Sequence, residues 1–149
     1  MIKLNAERNN INDIVERGIK LHGHAGPYLN LGIRMGLLAL DQLEAKGYFD
    51  LTAEIELEYR TPMSCLIDGL QISTGCTLGK GNIMVKNNPI PIKVLIKSKT
   101  NHKTMIASLK PKIYQLLDFK KNSGESLADR ILGMSDSELF DYRVESEVP

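Results

Sequence analysis

One run constrains the fold more than any other: "GPYLNLGIRMGLLALDQLEAKG", from Gly26 to Gly47. Tyr28, Leu29, Leu31, Ile33, Met35, Leu37, Leu38, Leu40 and Leu43 fall on nearly every side of a helix drawn through it. A helix that is apolar all round has no face to offer water, so the rest of the chain must wrap it. Gly26 suits the N-cap, Pro27 the first helical position and Gly47 the stop. Gly32 and Gly36, four apart, mark a face where a second backbone can come close. The run falls short of the roughly 20 uninterrupted apolar residues that span a bilayer. At 149 residues the chain can supply the wrapping from a single domain.

The wrapping is legible in its periods. "NAERNNINDIVERGIK" carries Ile11, Ile14, Val15 and Ile19 as a helical stripe that ends near Gly18 or Lys20. "LTAEIELEY" alternates Ala53, Ile55, Leu57 and Tyr59 with three glutamates, a strand with one wet face. After "TPMS", Ser64 can cap a helix over "CLIDGLQIST" that Gly75 closes. Three strands follow, at Ile83 to Lys86, Ile92 to Lys97 and Lys103 to Leu109. Helices at Lys112 to Phe119 and Leu127 to Leu132 come next, and the last residues are expected to fray or dock weakly. Strands that bunch rather than alternate with helices predict an α+β fold: helices packed on one face of a small mixed sheet.

Charge is distributed unevenly. Lys80 to Lys121 holds ten lysines and one acid, while the rest of the chain carries a surplus of eight negative charges. The lysines alternate with apolar residues, as in "IPIKVLIKSK", which is the pattern of a strand's wet face. Arginine and stacking aromatics are absent from the lysine-bearing strands, which argues against nucleic acid as a partner. The acidic C-terminal segment can lie against these lysines instead. The N-terminus has no apolar signal core and no run is membrane-spanning, which predicts a cytoplasmic protein without membrane contact. Two cysteines, Cys65 and Cys76, make neither a disulfide framework nor a zinc ribbon.

Chemistry concentrates in two places. "HGHAGPY" puts His22 and His24 one residue apart, and on an extended segment both imidazoles reach one metal ion. The plainer alternative is that one histidine closes a turn and the other is solvated. Cys65 begins a helix, where a thiol's pKa falls, and Asp68 stands one turn later. Cys76 lies past the helix's far end, about 16 Å away, so at most one thiolate joins the histidines. "STGCTLGKGN" is not a phosphate loop, because only three residues separate Gly75 from Gly79 and no strand precedes it. Its glycines can still wrap a ligand, with Lys80 meeting an anion.

Together, "HGHAGPYLNLGIRMGLLAL" and "CLIDGLQISTGCTLGKGNI" resemble the E-subunit family of formylmethanofuran dehydrogenase. The resemblance rests on His22, Gly23, His24, Gly26, Pro27, Gly32 and Arg34, then on Cys65, Asp68, Gln71, Thr74, Gly75, Cys76, Thr77, Gly79, Lys80, Gly81 and Asn82. The resemblance covers about residues 19–86 and implies an α+β core with a mixed sheet; the single domain is then expected to have its core over about residues 8–121 and a helical extension over 122–149. It also implies a bound transition metal, zinc most often, and a homodimer that supports a redox or one-carbon enzyme as its partner. His22, His24 and Cys65 become the expected metal ligands, with Cys76 the competing thiolate. Asp68, Gln71, Thr74, Gly79, Lys80 and Asn82 become the expected ligand loop and outer shell. Gly26 stands where many members carry cysteine, and no cysteine follows Cys76 in this sequence, so the C-terminal zinc module of longer members is not expected here. Two other functions stay open: an enzyme acting on a small anionic or carbonyl substrate, with Cys76 and Lys80 as candidate catalytic residues, and a lysine-rich polyanion-binding module.

Overall fold

The computed structural model describes residues 10–89, 91–118 and 125–147. Phe119, at the end of one expected helix, and residues 8–9 and 119–121, at the margins of the expected core, lie outside these. In chain order the elements are α1 (Ile11–His22), α2 (Pro27–Gln42), β1 (Leu51–Leu57), α3 (Cys65–Thr74), β2 (Ile83–Asn87), β3 (Lys93–Ser98) and β4 (Lys103–Leu109). They continue with α4 (Pro111–Leu117), α5 (Glu125–Gly133), α6 (Asp136–Leu139) and β5 (Phe140–Ser146). The fold is α+β, as the bunched strands predict.

Helix α2 is the axis of the molecule. Every residue from Tyr28 to Leu40 is buried except Arg34, which is partly exposed. Gly26 is its N-cap in an extended conformation and Pro27 its first residue. The helix stops earlier than Gly47, at Gln42, because other groups satisfy the carbonyls at its end. Glu44 takes a left-handed φ of 51° and Asn101 donates to the carbonyls of Leu43 and Glu44. Gly47 instead opens a 3-10 turn over Tyr48–Asp50.

Helices α1, α3, α5 and α6 all pack on α2, and α3 lies closest. The α2–α3 crossing is backbone on backbone. A Cβ added at Gly32 would lie 2.1 Å from the Leu66 carbonyl oxygen, and one at Gly69 equally close to that of Leu29. Two glycines facing each other let these helices approach more tightly than any side chain allows.

The sheet runs β2-β1-β3-β4-β5, with β1 and β2 parallel and the other pairs antiparallel. Helix α3 makes the crossover between the parallel pair. Leu51, Ala53, Ile55 and Leu57 on β1, Val94 and Ile96 on β3, and Met105, Ala107 and Leu109 on β4 are buried under the helices. The alternate residues, Thr52, Glu54 and Glu56 among them, remain partly exposed on the opposite face. Tyr59 is outside the strand and 64% exposed, since β1 ends at Leu57 and the Tyr59 amide turns to Asn87 Oδ1.

Residues 140–146 neither fray nor stay helical, and the last two residues, 148–149, lie outside the described ones. Residues 140–146 form β5, antiparallel to β4 from Leu109↔Phe140 to Lys103↔Ser146. Phe140, Tyr142 and Val144 alternate with Asp141, Arg143 and Glu145, a period of two that outweighs the segment's charge. Arg34 ties this extension to the core by donating to the carbonyls of Ile131 and Leu132 and to Asp136 Oδ1. Acidic residues do meet the lysines, Lys97 with Glu147 at 2.6 Å and Lys110 with Asp141 at 2.5 Å.

Candidate functional site

His22 is the last residue of α1, and Gly23 caps that helix with a left-handed φ of 108°. The two imidazoles therefore come together through a helix end and a glycine turn, not through an extended segment. Their ring centroids are 4.8 Å apart and the planes tilt by 48°. The ring of His24 lies against Gly26, where an added Cβ would meet its Cε1 at 3.1 Å.

Hydrogen bonding engages the same nitrogen in both rings. His22 Nδ1 lies 2.7 Å from Asp68 Oδ2, and His24 Nδ1 lies 3.0 Å from the Ala25 carbonyl oxygen. A carboxylate and a carbonyl only accept, so each Nδ1 carries a hydrogen, and the nitrogen left for a lone pair in the neutral ring is Nε2. His22 Nε2 is buried and has no hydrogen-bond partner among the described residues. An imidazole with one nitrogen donating to a carboxylate and the other bare is a metal ligand's usual arrangement. Gln71 Nε2 approaches the other Asp68 oxygen at 3.5 Å, a weak contact that completes the row behind His22.

The thiols behave differently from the sequence expectation. Cys65 opens α3, but burial and the Asp68 carboxylate push its pKa up, against the lowering expected at a helix N-terminus. Ser64 makes no side-chain cap there, being itself in helical conformation. Among the described residues, no three His, Cys, Asp or Glu side chains are grouped closely enough to hold a metal ion on their own. The Tyr28 hydroxyl, near the start of α2, has its pKa pushed up to about 12, first by burial and then by Asp118, Tyr114 and Cys65.

The glycine loop forms a separate cluster at the far end of α3. The helix is unbroken from Cys65 to Thr74, so within one chain the two ends stay about 15 Å apart. Cys76 is buried, and burial raises its pKa despite the opposing Thr74 hydrogen bond and the Lys80 and Lys99 charges. Thr74 donates to the Leu70 carbonyl and accepts from the Cys76 amide. Asn82 donates to the carbonyls of Tyr48 and Leu51 and accepts from the Thr77 amide. Thr74 and Asn82 are thus occupied in holding the loop, and Gly79 is open at its surface. Lys80 Nζ sits 5.7 Å from the Tyr48 ring centroid and 5.8 Å from that of Phe49. Sequence reasoning missed this aromatic pair. The available signal was "YFD" beside a glycine, two adjacent aromatics in a chain poor in them.

The family described as FmdE, molybdenum formylmethanofuran dehydrogenase operon, matches residues 21–141. The chain belongs to the FmdE family. Its fold is similar to the crystal structure of a tungsten formylmethanofuran dehydrogenase FmdE-like protein from Syntrophus aciditrophicus, with a TM-score of 0.57 and 21% identity over 93% of this chain and 73% of that one. A probable S-adenosyl-L-methionine-binding protein of Archaeoglobus fulgidus is 35% identical over 74 residues. That match covers 46% of this FmdE-family chain and 19% of the relative, so the chain spans about a fifth of that protein's length. The FmdE match includes both the histidine pair and the glycine loop.

Proposed function

We propose that this FmdE-family chain is a metal-binding accessory protein working with an enzyme related to formylmethanofuran dehydrogenase. The observation that carries the reading is His22: its Nδ1 is held by Asp68 and its buried Nε2 has no partner among the described residues. His24 offers a second Nε2 beside it, and Cys65, the thiol one turn before Asp68 on the same helix, would have to move in to join them, since the three are not grouped as ligands in this structure. Imidazole and thiolate together suit zinc among the common divalent ions. Bound there, such an ion would act as a Lewis acid or hold a small ligand. Asp68 orients His22, Gln71 supports Asp68, and Gly26 leaves room for the His24 ring. A homodimer in a cytoplasmic setting belongs to the same reading.

Catalysis by Cys76 and Lys80 has less support. The Cys76 thiol is fully buried and its pKa is raised, both unfavourable to a nucleophile. Polyanion binding is weakened by the acids that pair with Lys97 and Lys110.

Elemental analysis of untagged protein tests the proposal. Wild type should carry near-stoichiometric metal, His22→Ala and His24→Ala should lose it, Cys65→Ala should lose most of it, and Cys76→Ala should keep it. Wild-type protein that takes up no metal after reconstitution would overturn the reading.

A further inference from the structure

Among the described residues, the sheet has one face under the helices and one without them. By register, one row across the helix-free face reads Met84, Glu54, Leu95, Ile106 and Arg143, and the next reads Lys86, Glu56, Lys93, Ser108 and Asp141. Met84 is 53% exposed, an unusual surface residue within a strand. Two shallow hollows of about 420 and 530 Å³ lie on this face, lined mostly by apolar atoms around Met84, Leu95 and Ile106.

Charge on the face is sorted by strand. Strand β1 presents Glu54 and Glu56, and its neighbour β3 presents Lys93 and Lys97. The signs balance, so the face suits neither a polyanion nor an anionic membrane. A two-fold axis running along the strands between β1 and β3 overlays the four strands β2, β1, β3 and β4 on their counterparts and leaves β5 outside the overlap. It lays the acidic strand of one copy over the lysine strand of the other, twice. Glu56 then lies opposite Lys93 of the second copy and Met84 on β2 opposite Ile106 on β4, while Glu54 lies opposite Leu95, diagonal to Lys93 and Lys97 of the second copy. Sheets packed face to face sit about 10 Å apart, within reach of these side chains. A self-complementary patch of this kind is the requirement for an isologous dimer.

We propose that the helix-free sheet face is the interface between two copies of this chain. The inference rests on the dimeric part of the function proposed above and adds where the copies meet. It leaves His22, His24 and Asp68 on the helical side of each protomer, away from the interface.

Sedimentation equilibrium and light scattering on the intact chain test it, with circular dichroism as the folding control. Wild type should have twice the chain mass, and Ile106→Glu or Leu95→Glu should reduce it to the chain mass. Met84→Lys, at a position already open to solvent, should do the same with the fold intact. Glu56→Lys and Lys93→Glu should each weaken association about tenfold or more, and the double variant should restore it to within about threefold. A dimer that survives Met84→Lys and Ile106→Glu would overturn the interface while leaving a dimer. A monomeric wild type would overturn both, and a metal content unchanged in either case would leave the histidine site standing.

Discussion

Replacing Gly32 by alanine asks whether two helices really touch backbone to backbone. The new Cβ would stand 2.1 Å from the Leu66 carbonyl oxygen, 2.9 Å from the Leu70 nitrogen and 3.0 Å from Gly69 Cα. Ordinary contact for a Cβ begins near 3.4 Å, so the helices must part by more than an ångström. All three are backbone atoms, none able to swing away, and Leu66 and Leu70, both buried, lose packing as α3 retreats. Alanine gains about 1 kcal/mol in helix propensity, against which overpacking of a core costs about 1–3 kcal/mol and occasionally more. With unrelievable backbone contacts the cost exceeds that range, and the net loss is about 2–3 kcal/mol. For a domain of this size that lowers Tm by about 4–12 °C. Gly133→Ala is the matched control: no atom lies within 4 Å of its Cβ and its φ is not positive, so it should stabilise by up to about 1 kcal/mol. Urea melts followed by circular dichroism give both values. Gly32→Ala within about 0.5 kcal/mol of wild type, or Gly133→Ala more destabilising than Gly32→Ala, would refute the account, since changes at sites without special contacts stay about that small.

Other expectations follow from the same geometry. Asp68→Asn should leave stability near wild type and weaken metal binding about 10–100-fold, measured by competition with a chromophoric chelator. Gly26→Ala has an ordinary φ of −150° to occupy, so its effect should fall on the His24 ring 3.1 Å away: a few-fold loss of metal affinity, about 3–10-fold, with the fold intact. Arg34→Met removes three hydrogen bonds from a side chain only 11% exposed; hydrogen exchange should show residues 125–147 losing protection, with a global cost of about 2–4 kcal/mol. Asp50 has burial raising its pKa, but hydrogen bonds from Thr100, Lys46 and Ser98 outweigh it and hold the carboxyl below its usual value. Its stabilising contribution is therefore present above about pH 4 and fades as pH falls through the lowered pKa, so wild type and Asp50→Ala should converge in acid.

The sequence by itself determined the elements whose side chains announce their surroundings. Helix α2, apolar on all sides, could only be central, and Gly32 marked where a neighbour would press on it. The alternation in β1, β3 and β4 set which residues face the helices, because a strand's period of two leaves no choice once one face is buried. The family itself was legible in the histidine and glycine blocks. Element ends were less so: Gly47 looked like the stop for α2, but Asn101, more than fifty residues away, caps that helix. Strand β5 was missed because its pairing partner β4 is what makes an exposed, charged segment a strand. The site divides in the same manner. Sequence spacing brought His22 and His24 together and separated Cys65 from Cys76, since both are matters of local chain length. Asp68 behind His22, the raised pKa of Cys65, and Tyr48 and Phe49 beside Lys80 depend on which helix or turn arrives from elsewhere. Burial and charge are properties of the assembled surroundings, and only the tertiary structure supplies them.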